Sequence, residues 1–203
     1  MRGMKLFRLF LLPLLLAASV QQASADALNL NQISAYLNSI TDATGRFTQI
    51  NNDGSTATGT IYIRRPGRIR FEYDPPNDAL VIAGGGQVAI FDNKSNQPPE
   101  QYPLRRTPLN IILERDVDLT RANMVTAFEY DGTYTMIVAQ DPKNPEYGNI
   151  RLMFGGPPTQ LQQWIITSGD GTKTTVTLDG LDTQASPRVG LFNIPQEMRQ
   201  RGL

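Results

Sequence analysis

Gly59-Thr60-Ile61-Tyr62-Ile63-Arg64-Arg65-Pro66-Gly67-Arg68-Ile69-Arg70-Phe71-Glu72-Tyr73-Asp74-Pro75-Pro76 reads as two apolar-striped strands joined by a tight turn. Successive strand side chains point to opposite faces, so Ile61, Ile63 and Arg65 share one face, and Ile69, Phe71 and Tyr73 stand opposite Arg68, Arg70 and Glu72. One face is greasy and the other charged. Directly opposed residues of an antiparallel pair lie on the same face. Matching Ile63 to Ile69 and Ile61 to Phe71 therefore requires an odd loop around Pro66-Gly67. The residue before a proline is pushed out of the helical region, which keeps Arg65 extended and projecting from the apolar face where the sheet ends. An isolated R-R-P-G-R would read as a solubilising hairpin tip; a guanidinium on the rim of a greasy face is a different matter.

The pattern continues outward from this hairpin. Short alternating runs at 45–51, 58–64, 68–73, 79–83, 87–92, 127–130, 133–140, 150–154, 161–167 and 173–179 are separated by turn signals such as Asp53-Gly54, Gly84-Gly85-Gly86, Asp131-Gly132 and Asp170-Gly171. Regular short strands with such turns predict a mainly β protein, an antiparallel barrel or a strongly curved sheet. Two apolar helical segments supply the cover for its inner face. Leu30, Ile33, Leu37 and Ile40 recur at helical spacing behind Asn29, a good cap, and predict a helix over 29–40. Leu109, Ile111, Ile112 and Leu113 surround a helix over 108–114 that is under two turns long and must pack on the sheet to exist.

Residues 1–25 carry basic Arg2, Lys5 and Arg8, an apolar run over 9–20 interrupted by Pro13, and Ala23-Ser24-Ala25 as a small-x-small cleavage site, the pattern of a secretory signal peptide. The run is about a dozen residues, short of the ~20 that span a bilayer. No cysteine stands near the cleavage site to accept a lipid, so the mature chain from Asp26 is expected to be soluble. Three of the 19 Lys and Arg and none of the 19 Asp and Glu lie in residues 1–25, so the mature balance is 16 to 19, a net charge of −3 that argues against nucleic acid. The 178 residues over 26–203 suit one domain, with no linker, repeat or low-complexity tract dividing them.

Histidine and cysteine are both absent, which excludes Ser-His and Cys-His nucleophile pairs, histidine metal sites, thiolate chemistry and disulfides. The carboxylates Glu72, Asp74 and Asp78, and Glu114, Asp116 and Asp118, read as solvated strand or loop positions. Ala83-Gly84-Gly85-Gly86 lacks a following Lys-Ser/Thr and opens a strand, so it is a turn and not a phosphate loop. Lys94-Ser95 falls in a polar loop. No cofactor, metal or enzymatic activity is expected. The tail over 196–203 reads as a frayed end.

The run G-x-[apolar]-x-[apolar]-[KR]-R-P-x-x-[apolar]-R-[FW]-x-Y-x-x-P is followed by Asp78-Ala79-Leu80-Val81-Ile82-Ala83-Gly84-Gly85-Gly86-Gln87-Val88-Ala89-Ile90-Phe91-Asp92. Thr107-Pro108-Leu109-Asn110-Ile111-Ile112-Leu113 comes later. Together these resemble the LolA family of periplasmic lipoprotein carriers. The resemblance runs from the first helix to Phe192-Asn193-Ile194-Pro195, is specific over 59–92 and 107–113, and does not align over 114–127. It implies a half-closed antiparallel barrel whose short helices form a lid over an apolar cavity. It also implies a monomeric periplasmic chaperone that takes acylated lipoproteins from an inner-membrane ABC lipoprotein-releasing complex (LolCDE-like) and passes them to an outer-membrane receptor (LolB-like). Arg65 occupies the position of the family's Arg-Pro arginine, associated with hydrogen bonds to the closed lid, and is expected to cap carbonyls near 109–113. Ile61, Ile63, Ile69, Phe71, Tyr73 and Phe91 are the expected acyl-chain cavity or mouth. Leu30, Ile33, Leu37, Leu109, Ile111, Ile112 and Leu113 are the expected lid. Two alternatives keep the fold and change the cargo: an envelope sensor or binding module, and a carrier of free lipid or glycolipid.

Overall fold

The computed structural model describes residues 26–92 and 97–203; residues 1–25, expected to be a signal peptide, and residues 93–96 lie outside the described residues. In chain order come α1 (Leu30–Ser39), β1 (Asp42–Ile50), β2 (Thr56–Arg64), β3 (Ile69–Tyr73), β4 (Leu80–Gly84), β5 (Gln87–Phe91) and β6 (Glu100–Pro103). They are followed by α2 (Asn110–Leu113), β7 (Val125–Tyr130), β8 (Thr135–Gln140), β9 (Gly148–Gly155), β10 (Gln160–Ser168), β11 (Lys173–Asp182) and α3 (Ile194–Gln200).

The strands form one 11-stranded sheet in the order β6-β5-β4-β3-β2-β1-β11-β10-β9-β8-β7. Within β1–β6 and within β7–β11 each strand lies beside its neighbour in the chain, and β1 against β11 joins the two meanders. The ends of the sheet are β6 and β7, so the half-closed barrel is open between two strands that are consecutive in sequence. Residues 104–124, which carry a short 3-10 turn and α2, cross that opening. This bridging segment is thereby tethered at both ends to the edges it spans.

The expected hairpin register holds, with Ile63 opposite Ile69 and Ile61 opposite Phe71 across β2 and β3. Gly59 belongs to the same inner stripe. It stands opposite Phe47 of β1 on one side and Tyr73 of β3 on the other, and a Cβ there would lie 2.7 Å from Phe47 Cε1. The missing side chain makes room for the Phe47 ring, which meets Phe71 and Tyr73 edge-on at 5.3 and 5.2 Å. The main core forms between the inner face and the helices and takes in Trp164, Phe47, Ile33, Ile61, Ile69 and Leu113. Helix α1 begins at a full capping box: the Gln32 amide N–H donates to Asn29 Oδ1, and the Asn29 N–H donates to Gln32 Oε1.

The outer face departs from expectation. The tail is not frayed; α3 follows Asn193, whose side chain accepts from the Gln196 N–H at 2.9 Å, and has Pro195 in its first turn. The preceding turn lies so close to β4 that Gly84 has no space for a Cβ beside Phe192 O. Ile194 joins Leu80, Ile82, Ala89 and Phe91 in a second apolar cluster. The charged stripe of β3 is therefore covered. Arg70 is buried, donating to Leu191 O at 3.0 Å, Glu197 Oε2 at 2.9 Å and Glu72 Oε1 at 2.6 Å. Arg201 donates to Glu197 Oε1 at 2.8 Å and stacks over the Phe91 ring at 5.0 Å. The strand β6, absent from the sequence reading, is a short polar edge strand that pairs only with β5 among the described residues.

Candidate functional site

Strands β3, β4, β5, β10 and β11 turn apolar side chains inward, and where the lid leaves them uncovered they enclose a cavity of about 740 Å³, within the range of small-ligand sites. Phe71, Val81, Val88, Trp164, Ile166 and Val176 line it, and Pro108 and Leu109 of the bridging segment stand over it. Phe71 meets Trp164 edge-on at 6.3 Å, so the floor continues the aromatic row that starts at Tyr73 and Phe47. Ile90 and Tyr102, both on the cavity wall, are substantially exposed. A wall so largely apolar attracts hydrocarbon, and Arg106, Glu146 and Asp170 are the charged residues of its lining.

The expected cavity residues divide into three sets. Phe71 and Tyr73 line the cavity. Ile61, Ile63 and Ile69 sit further along the same inner face and are buried beneath the helices, in the core itself. Phe91 is on the wrong side. In β5 the odd and even positions are both apolar; Val88 and Ile90 face inward, so Phe91 and Ala89 face the C-terminal helix. Of the expected lid residues, Ile33, Leu37, Leu109, Ile111, Ile112 and Leu113 are buried in the core and Leu30 packs at its edge. The lid side chains plug the inner face between α1 and α2, and the cavity is what they leave open.

Arg65 joins three separate pieces of chain. Its backbone N–H donates to Thr41 O at 2.7 Å, which fixes the hairpin tip beside the end of α1. Nη1 donates to Leu37 O and, at 3.4 Å, to Ile40 O. Nη2 donates to Asn38 Oδ1 at 3.1 Å, to Glu114 O, and at 3.4 Å to Arg115 O. The Leu113 carbonyl, within the range expected to meet the guanidinium, is taken by the Gly67 N–H at 2.8 Å. The acceptors lie one and two residues later and, beyond expectation, at the end of α1. Those last carbonyls have no intrahelical donors, and a cation there also meets the negative end of the helix dipole. Burial lowers the Arg65 pKa, and Asp116 opposes that effect; arginine nonetheless remains charged in any physiological range.

Two further side chains, Asn38 and Ser34, hold the bridging segment against α1 and were missed by sequence reading. Asn38 Nδ2 donates to Val117 O at 2.9 Å and Asn38 Oδ1 accepts the Val117 N–H at 2.9 Å, the two-way pairing a neighbouring strand would give. Ser34 Oγ accepts the Leu119 N–H at 3.1 Å. Val117 and Leu119 are buried against the core while Asp116 and Asp118 face outward. The strap over 114–120 thus docks along α1. Its signal was legible: Val117 and Leu119 alternate with polar residues, and Ser34 and Asn38 stand four apart on the flank of the apolar stripe of α1.

Comparison with known proteins adds a pedigree. A family model described as "Outer membrane lipoprotein carrier protein LolA" matches residues 38–195. An outer-membrane lipoprotein carrier protein of Azotobacter vinelandii is 27% identical over 199 residues, covering 94% of each chain. A protein of the same description from Pseudomonas aeruginosa is 27% identical over 183 residues, covering 85% of this chain and 86% of its own. Among solved structures, a putative outer membrane lipoprotein-sorting protein domain from Vibrio parahaemolyticus superposes with a TM-score of 0.48 at 10% identity, over 82% of this chain and 96% of that one.

Proposed function

This chain belongs to the LolA family of outer membrane lipoprotein carrier proteins, and on that premise we propose that it is a soluble periplasmic chaperone for the acyl chains of lipoproteins. Residues 1–25 direct export and are removed, and the single domain over 26–203 works as a monomer. It accepts its passenger from an inner-membrane ABC lipoprotein-releasing complex and surrenders it to an outer-membrane receptor.

The physical need is simple. Each acyl methylene left in water costs about 0.8 kcal/mol, tens of kcal/mol for a multiply acylated protein. The observation that carries the reading is a 740 Å³ apolar cavity continuous with a core that is plugged by a tethered, latched lid. In the empty state Leu37, Ile111, Ile112 and Leu113 lie on the inner face. In the loaded state acyl chains take their place, and Ile61, Ile63 and Ile69 become cavity wall. Arg65 holds the closed form and lets go on loading.

Titration of the mature protein with a fluorescent fatty acyl probe tests this. The wild type is expected to bind and to bury the fluorophore, and Phe71→Glu, which places a carboxylate on the cavity floor, is expected to lose at least tenfold in affinity while still folding by circular dichroism. Equal binding by a folded Phe71→Glu protein would refute the cavity assignment.

A further inference from the structure

Resting on the acyl-carrier reading, we propose that Tyr73 and Gln49 form a polar reader in the cavity wall that hydrogen-bonds the ester or amide carbonyls where acyl chains join the cargo's head, and so sets how deeply the chains enter. A cavity meant only for hydrocarbon has no use for this pair. Tyr73 follows Phe71 on the inner stripe of β3, and Gln49 lies two strands away on β1; both line the same cavity as Trp164 and Ile166. The Tyr73 ring is held edge-on against Phe47 at 5.2 Å, so its hydroxyl can swing but its oxygen stays put.

In the empty protein the hydroxyl donates to Gln49 Oε1 at 2.7 Å. Gln49 Nε2 in turn donates to Asn51 Oδ1 at 2.7 Å, and Asn51 Nδ2 to Ser55 Oγ at 2.9 Å, so the relay ends in the turn after β1. The groups satisfy one another, which is what lets them sit in apolar surroundings without a desolvation penalty. The relay also has capacity to spare, because Gln49 Nε2 carries a second N–H and the Tyr73 proton can swing to a new acceptor. Burial pushes the Tyr73 phenol up to about 12, against the lowering effect of Gln49, so it stays a protonated donor. A methylene chain offers these donors nothing. A carbonyl entering behind the chains offers an acceptor at the point where hydrocarbon ends, with the apolar floor of Phe71 and Trp164 lying beyond it.

The test is displacement of a fluorescent fatty acyl probe from the mature protein by 1,2-dioctanoylglycerol and by its dialkyl ether twin, 1,2-dioctylglycerol, which keeps both chains and lacks both carbonyls. One or two net hydrogen bonds predict that the wild type favours the ester about three- to tenfold. Tyr73→Phe, which keeps the packing on Phe47, is expected to bring the ratio close to one while leaving the ether's affinity within twofold, and Gln49→Met should do the same. Equal affinity for the two lipids in the wild type, or a preference that survives both substitutions, overturns the reader and leaves the carrier intact. Failure of both lipids to displace the probe overturns the carrier reading together with the reader.

Discussion

Arg65→Leu isolates the latch from the rest of the fold. The guanidinium donates to five acceptors, but only those to Leu37 O, Asn38 Oδ1 and Glu114 O are close, the other two being 3.4 Å. A hydrogen bond from a charged donor nets about 1.5–3 kcal/mol. The desolvation that Arg65 already bears, seen in its lowered pKa, takes back part of the total, so about 3 kcal/mol for the closed lid is a reasonable sum. At about 1.4 kcal/mol per decade this shifts the closed-to-open equilibrium by roughly a hundredfold. Native-state hydrogen exchange reads it directly: the Val117 and Leu119 amides, whose acceptors are on α1, should exchange about a hundredfold faster in the variant. Amides of Ile61 and Phe71 in the sheet should not change. Linkage requires the counterpart in binding. A rare open state that becomes common raises apparent affinity for acyl cargo by up to the same factor, so the variant should hold its passenger and fail to hand it on. Unchanged exchange at Val117 and Leu119, or normal transfer to the receptor, would refute the latch.

Three other outcomes follow from the packing. Gly59→Ala should destabilise by about 2 kcal/mol, since the added methyl meets the Phe47 ring at 2.7 Å and the backbone of Glu72 behind it, neither free to move; a melting temperature within 1–2 °C of the wild type would contradict that account. Ile194→Ala should cost about 2–4 kcal/mol by opening a hole in the outer cluster, lowering the thermal midpoint without altering acyl-probe affinity, because Ile194 and the cavity are on opposite faces of the sheet. For Glu197, burial raises the carboxyl, but Arg201 and Arg70 outweigh it and hold the carboxyl below its usual range. That contribution to stability is complete above the unfolded value near 4.5 and is lost as pH falls through the lower folded value. Glu197→Gln should therefore flatten the acid limb of the stability curve below about pH 4.5, and an unchanged limb would show that the ion pairs are inconsequential.

Legibility in the sequence followed how local each determinant is. The β2–β3 register could be read because Ile61, Ile63, Ile69 and Phe71 alternate with polar residues, and an odd loop short enough for Pro66-Gly67 puts Ile63 opposite Ile69 and all four on one side. The first helix could be read from its 3–4 spacing and from Asn29. By contrast, β6 is four residues of Glu-Gln-Tyr-Pro that pair on one side with β5, and nothing in its own composition asks for a strand. The face of Phe91 was undecidable locally, since β5 is apolar on both faces and the cover for its outer one arrives about a hundred residues later. That cover was itself signalled by Asn193-Ile194-Pro195, a cap followed by a first-turn proline, and the signal was passed over as a frayed end. Arg65 was picked out because a proline held it at the rim, but its acceptors on α1 lie 25 and 28 residues away. No local rule links a hairpin tip to a helix terminus at that distance.

The tether and the latch divide the labour of switching between them. Five lid side chains, Ile33, Leu37, Ile111, Ile112 and Leu113, would lose about 10 kcal/mol in all on leaving the inner face, at about 2 kcal/mol each. An acyl chain recovers a comparable amount once about a dozen methylenes are buried at 0.8 kcal/mol each. In the carrier proposed above these large terms nearly cancel, so small ones would set the direction of exchange, and a latch worth about 3 kcal/mol would be of the right size to decide it. A stronger latch would keep the cavity shut against cargo, and a weaker one would leave the cargo with no competitor to drive it out. A half-buried guanidinium held only by carbonyls and an amide meets both limits better than a carboxylate partner would. Carbonyls are readily hydrated when the lid lifts, whereas a carboxylate beside this partly exposed guanidinium would add a charge attraction that biases the lid towards closure. The prediction that tests this balance is Asn38→Ala, which removes the acceptor 3.1 Å from Nη2 and both hydrogen bonds to Val117: it should speed exchange at Val117 and strengthen acyl binding together, in the same direction as Arg65→Leu, and faster exchange without tighter binding would show that lid closure is not what competes with cargo.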